Sequence, residues 1–138
     1  MVCTFFGHRD APKDVEKPLR DVLVELITQR HVTHFLVGEQ GAFDRMVIGQ
    51  LRALQDIYPQ ISSTVVLAYH PCEQKTAHPN TLYPEGLERV PRRFAIAARN
   101  RWMVEQADIV VTYVRSPAGG AAQFQRLAKG KGKLVLAL

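Results

Sequence analysis

The chain has 138 residues, 46% apolar and 22% charged, which is enough for one domain with a buried core, spanning residues 1–138, and short for two. Its net charge is +5, but the lysines and arginines are scattered, so we expect a phosphate-bearing small molecule as partner rather than nucleic acid. No apolar run approaches the length of a membrane span and the N-terminus lacks a signal-peptide pattern, so we expect a cytoplasmic protein without membrane contact.

Short apolar strands alternate with amphipathic helices along the chain. Runs of β-forming residues predict five strands, at Val2–Phe6, Thr33–Val37, Thr64–Tyr69, Ala107–Tyr113 and Lys133–Ala137. Apolar residues at helical spacing predict helices over Val15–Ile27, Met46–Tyr58, Pro91–Gln106 and Gln123–Lys129. Because each strand is almost continuously apolar, both faces of the sheet should be covered. We therefore predict an α/β fold, a three-layer Rossmann-like domain with a doubly wound, mainly parallel, five-stranded sheet.

One segment, His70–Pro91, interrupts this alternation. It is rich in proline, polar and charged residues and shows no periodicity. A loop of this length in a compact domain is typically functional or mobile. We expect part of it, His70–Val90, to cover a bound ligand.

Three glycine-containing turns follow predicted strands: Gly7-His8-Arg9, Gly38-x-x-Gly41-x-x-Asp44 and Gly119-Gly120-Ala121. The carboxyl ends of parallel strands meet at one edge of the sheet, where such folds bind ligands. A helix that begins near Gly120 would present unpaired N–H groups and a partial positive charge to an anion. Ordinary strand-to-helix turns also need glycine, so a single turn is ambiguous. Three at one edge favour a site for a phosphate or a nucleotide.

Polar side chains in these turns have two interpretations each. Arg9 could bind a phosphate, or it could pair on the surface with Asp10 or Asp14. His8 could bind a ribose or base, or act as an acid or base, although a turn histidine with no evident partner is more often not catalytic. Asp44 could bind ribose hydroxyls or cap the helix that begins beside it.

The third predicted helix carries an arginine within an apolar stripe. Ile96, Arg99, Asn100 and Met103 fall close together on one helical face. A guanidinium among apolar residues needs a partner, and a bound anion would provide it, whereas the alternative is that Arg99 extends past the stripe to solvent. No histidine has acids or cysteines at ligand spacing, so we predict no metal. The P-loop, the strand-one G-x-G-x-x-G and G-x-S-x-G are also absent.

The order of four motifs resembles the SLOG superfamily, Rossmann-like nucleotide-binding or nucleotide-sensing domains related to DprA and to the Lonely Guy phosphoribohydrolases. The motifs are Phe5-Phe6-Gly7-His8-Arg9, Gly38-x-x-Gly41-x-x-Asp44, Arg99-Asn100-x-x-Met103 and Gly119-Gly120-Ala121, and they are most similar to those of small bacterial YpsA-like members. The resemblance implies that the protein binds or senses a nucleotide or a nucleotide-derived ligand. With the residue-level reasoning, it predicts these ligand-binding residues: Gly7, His8, Arg9, Gly38, Gly41, Asp44, Arg99, Asn100, Gly119, Gly120, Ala121 and Gln123.

The sequence departs from the Lonely Guy motif P-G-G-x-G-T-x-E-E at its acidic end. Aligning Gly120-Ala121 with the G-T pair places Gln123 and Phe124 where the two glutamates would be. Glutamine cannot serve as a general acid or stabilise a developing cation as a carboxylate does. We therefore expect a binding domain rather than an N-glycosidic hydrolase of nucleoside monophosphates, with a DprA-like nucleic-acid-binding module as a further alternative. Apolar faces in this fold also pack against partner subunits, so a homo-oligomer is compatible with the sequence.

Overall fold

The computed structural model describes residues 1–138, which form one six-stranded sheet and four α-helices. The strands are β1 (Val2–Gly7), β2 (His34–Val37), β3 (Ser62–Val66), β4 (Thr81–Leu82), β5 (Ile109–Tyr113) and β6 (Leu134–Ala137). The helices are α1 (Glu16–Thr28), α2 (Ala42–Ile57), α3 (Ala95–Gln106) and α4 (Gly120–Gly130). Every neighbouring pair of strands is parallel, which confirms the predicted α/β fold.

The strand order in the sheet is β4-β3-β2-β1-β5-β6. The chain begins in the middle of the sheet, builds outward to β4, then returns to place β5 on the other side of β1. This reversal puts the topological switch point between β1 and β5, which pair from Cys3 opposite Ile109 to Gly7 opposite Tyr113. In open α/β sheets, ligands bind outside the carboxyl ends of the strands at this point.

The sheet has one strand more than predicted, because the segment expected to be irregular contains β4. This strand has only two residues, too few to show the alternation by which strands are predicted. It pairs with β3, and the side chain of Asn80 beside it donates to the carbonyl of Ser63 at 3.0 Å. The segment His70–Pro91 is therefore bound along the edge of the sheet for part of its length.

Helices cover both faces of the sheet, as predicted. One core packs α1 and α2 against strand residues such as Phe5 and Phe35, and the other packs α3 and α4 against Phe6 and Val110. Consecutive residues Phe5 and Phe6 point to opposite faces, as the two-residue period of a strand requires. None of the four helices combines the length and the apolar character needed to cross a membrane.

Candidate functional site

A cleft of about 290 Å³ opens at the switch point, and we call it the switch-point cleft. Eight residues predicted to bind a ligand line it: Gly7, His8, Arg9, Asp44, Arg99, Asn100, Gly120 and Ala121. Five further residues that were not predicted as ligand contacts also line it: Phe5, Phe6, Gln40, Ile96 and Met103. The cleft therefore combines an apolar wall from β1 and α3 with polar groups from three turns.

Three predicted glycines shape the cleft without lining it. Gly38 packs behind Arg99, because a Cβ at this position would lie 2.9 Å from the Nη1 atom of that side chain. Gly41 has φ +117° and lets the chain approach Arg9, whose Cα would lie 2.7 Å from an added Cβ. Gly119, at φ +99°, is the residue that precedes the first turn of α4. Their absence of side chains is a requirement of the turns.

Gln123, which the aligned motif predicts to bind a ligand, does not line the switch-point cleft. Its side chain is exposed on another side of α4, in an open groove with Arg101 and Arg126. The replacement of a glutamate by Gln123 therefore does not decide whether a carboxylate is present in the cleft.

Arg99 is the most deeply buried charged residue of the cleft, with 1% of its surface exposed. Its Nη1 donates to the carbonyl of Val66 at 2.9 Å, and its Nε donates to Oδ1 of Asn100 at 2.7 Å. The protein itself thus supplies some of the hydrogen-bond acceptors that a bound anion was expected to provide for Arg99. Nη2 makes no hydrogen bond with the protein and remains available. Burial lowers the pKa of Arg99, opposed by the nearby Asp44.

Asp44 is the single carboxylate among the residues that line the cleft. Its Oδ2 accepts the backbone N–H of Gln40 at 2.8 Å, which satisfies a donor at the start of α2. Burial raises the pKa of Asp44, an effect opposed by that hydrogen bond and by the charges of Arg99 and Arg9. The N-cap of α2 is Gly41 and has no side-chain cap, so Asp44 bonds the residue before the cap while its carboxylate borders the cleft.

His8 and Arg9 leave β1 at the rim of the cleft. The Nε2 of His8 accepts the backbone N–H of Arg115 at 2.7 Å, and its ring meets the Tyr113 ring edge-on with centroids 5.7 Å apart. Arg9 is exposed, and its side chain forms no ion pair, so the surface pairs considered with Asp10 or Asp14 are not formed. A guanidinium without a protein partner therefore borders the cleft.

The N-terminus of α4 faces the cleft without a side-chain cap. Its first turn contains no acidic residue, and the backbone N–H groups of Gly120, Ala121 and Ala122 donate to no other group. The N-terminus of α2 differs, because Asp44 in its first turn accepts the nearby Gln40 N–H. Unpaired N–H groups and the helix dipole make the start of α4 the more favourable place for an anion.

The segment His70–Val90, part of which is expected to cover a ligand, contributes no residue to the lining of the switch-point cleft. Its residues border a second hollow of about 320 Å³ near the end of β3, where Arg92 pairs with Glu73 and lies 4.2 Å from the centre of the Tyr69 ring. The segment approaches the cleft only indirectly, through a hydrogen bond from Thr76 to Glu39. No three His, Cys, Asp or Glu side chains lie close enough to hold a metal ion.

Comparison with known proteins identifies a fold but no family: no protein-family model and no curated protein matches the chain. A similar solved structure is that of DNA processing protein A (DprA) from Streptococcus pneumoniae, with a TM-score of 0.68 and 18% sequence identity. The match covers 98% of this chain and 49% of the DprA chain, so this chain spans about half the length of that protein. The two share a Rossmann-like α/β fold.

Proposed function

We propose that this domain binds a nucleotide or a nucleotide-derived ligand in the switch-point cleft, with a phosphate at the N-terminus of α4. The observation that carries the proposal is the meeting of two kinds of unpaired donor in one cleft. The N–H groups of Gly120 and Ala121 have no partner, and Arg99 and Arg9 contribute guanidinium groups. Charge-assisted hydrogen bonds of this kind are among the strongest that proteins make with phosphate.

The remainder of the cleft suits the rest of such a ligand. Phe5, Phe6, Ile96 and Met103 provide an apolar wall for a base or a sugar ring. Asp44 can accept hydrogen bonds from ribose hydroxyls, since only its Oδ2 is used by the protein. A volume of about 290 Å³ lies at the lower end of the range for ligand sites and favours a mononucleotide-sized compound.

The test is to incubate the purified protein with a mixed pool of nucleotides, nicotinamide compounds and ADP-ribose compounds and to identify retained and converted species by mass spectrometry. We expect retention of a phosphate-bearing compound, with the matching nucleoside retained much more weakly because it lacks the phosphate. Equal retention of nucleotide and nucleoside, or retention of neither, would contradict the proposal.

A second candidate is N-glycosidic hydrolysis of a nucleoside monophosphate. It is favoured by the position of Asp44 in the cleft, where a carboxylate could stabilise positive charge that develops on the sugar. The same incubation tests it, because hydrolysis releases a free base that the Asp44→Asn variant should not release.

A nucleic-acid-binding role is a third candidate, and it would use a different surface of the protein. An open groove between α3 and α4 is lined by Arg101, Arg126 and Lys131 and by no carboxylate, and we call it the cationic groove. The structural neighbour is a DNA processing protein. Binding of a single-stranded oligonucleotide that weakens steeply with salt and is reduced by Arg101→Met would support this role.

A further inference from the structure

The turn from β5 to α4 is exposed but is tied to the first turn of the protein. Residues 115–120 are all exposed, and they carry the glycines with which α4 begins. The backbone N–H of Arg115 donates to Nε2 of His8 at 2.7 Å. Because His8 follows β1, this bond connects the two strands that flank the switch point.

The side chain of Arg115 makes further contacts within the protein. Its guanidinium lies 4.4 Å from the centre of the Tyr113 ring, and its Nη1 donates to the carbonyl of Leu138 at 2.9 Å. The ring of Tyr113 also packs against His8. Arg126 holds the turn further along, since its Nη1 donates to the carbonyl of Pro117 at 3.1 Å, whereas the backbone N–H of Arg115 at the start of the turn is bonded by His8.

We propose that neutral His8 is a positioning residue for the phosphate site, fixing the turn that carries the N-terminus of α4 by accepting the Arg115 N–H through Nε2. The inference rests on the proposed function of the cleft. A neutral imidazole that accepts at Nε2 carries its proton at Nδ1. Nδ1 makes no hydrogen bond with the protein, so it can donate to a ligand oxygen while Nε2 holds the turn.

Protonation distinguishes this role from a direct ion pair. An imidazolium has donors at both nitrogens and cannot accept the Arg115 N–H, so only a neutral imidazole can make this hydrogen bond. His8 lines the switch-point cleft and a second hollow beside it. The other titratable and charged groups that line these two hollows are Arg9, Asp10, Asp44, Arg99, Tyr113 and Arg115. If position 8 served the phosphate as a cation, a positive charge there would strengthen ligand binding. If position 8 serves as an acceptor for the Arg115 N–H, a positive charge there would weaken ligand binding.

Two substitutions separate the roles. His8→Gln places a carbonyl oxygen at about the reach of Nε2 and keeps an acceptor without a titratable group, whereas His8→Lys supplies a cation and no acceptor. His70 provides a matched control, because its Nδ1 accepts the backbone N–H of Cys72 at 3.1 Å outside the switch-point cleft. His70→Lys removes a similar backbone bond without touching the cleft.

The first measurement is amide hydrogen exchange at Arg115 without ligand. We expect slow exchange in the wild type and in His8→Gln, and faster exchange in His8→Lys, because only the lysine variant lacks an acceptor. Equal exchange rates in the wild type and His8→Lys would overturn the inference without testing the function of the cleft.

The second measurement is the affinity for AMP and for inorganic phosphate. We expect His8→Gln to stay near the wild type and His8→Lys to bind AMP about tenfold more weakly, the effect of losing about one hydrogen bond. Unchanged or tighter binding by His8→Lys would overturn the positioning role. If the wild type binds neither probe and retains no compound from the mixed nucleotide pool, the proposed function itself fails.

Discussion

Replacing Arg99 by methionine should destabilise the fold and remove anion binding at the same time. Methionine keeps an unbranched side chain of similar length, so the change removes the guanidinium with little loss of packing. The side chain loses its bonds to Val66 and Asn100, each worth about 1.5–3 kcal/mol for a charged donor. Removal of a buried charge returns part of this free energy, so we expect a net loss of about 2–4 kcal/mol in the free energy of unfolding.

Urea unfolding of the wild type, Arg99→Met and Arg101→Met measures this difference. Arg101 lies on the same helix but is exposed and lines the cationic groove, so its substitution should change neither stability nor AMP affinity. AMP affinity is compared at a temperature at which each variant is folded. A stability loss in Arg99→Met of less than about 0.5 kcal/mol would refute the reasoning, because the two hydrogen bonds would then contribute nothing measurable.

Two further substitutions and one labelling reaction test the burial of individual residues. Burial raises the pKa of Asp44, so the charged carboxylate disfavours the folded state at neutral pH. Asp44→Asn should therefore raise the free energy of unfolding at neutral pH. The gain should decline as the pH falls through the pKa of Asp44 in the folded protein, which urea unfolding at a series of pH values measures. Gly49 lies within α2 with nothing within 4 Å of an added Cβ, so Gly49→Ala should raise the unfolding free energy by about 0.5–1 kcal/mol in the same assay. Burial raises the pKa of Cys3, whereas Cys72 is exposed, so a thiol reagent should label one cysteine in the native protein and two after unfolding.

The parallel sheet and the residues that line the cleft at its edge could be predicted because their signals are local. Strand cores such as Val65–Val66 and Val110–Val111 are continuously apolar since helices cover both faces. The spacing of Ile96, Arg99 and Met103 on one helical face placed these residues together, and the structure has all three along the switch-point cleft.

Other features depend on contacts between distant segments, and no local pattern encodes them. The bond between His8 and Arg115 joins residues 107 positions apart, so His8 had no visible partner in the sequence. The strand β4 exists because Thr81–Leu82 meets the edge of β3, and two residues cannot show a strand period.

Gln123 was predicted to bind a ligand from an aligned motif, and an alignment does not give the direction of a side chain on its helix. The helix α4 begins at Gly120, so Gln123 lies in its first turn. Gln123 lies two positions after Ala121, which lines the cleft, so their side chains differ in direction by about 200°.

The most direct test of the proposed phosphate site is the AMP affinity of Gly120→Asp compared with that of Gly120→Asn. An added Cβ at Gly120 has nothing within 4 Å, so both side chains should fit. A carboxylate in the first turn stabilises a helix by about 0.3–1 kcal/mol, but here it would also compete with a phosphate for the same N–H groups. We predict that Gly120→Asp is at least as stable as Gly120→Asn to urea and binds AMP more than about tenfold more weakly. Equal AMP affinity in the two variants would contradict a phosphate site at the start of α4.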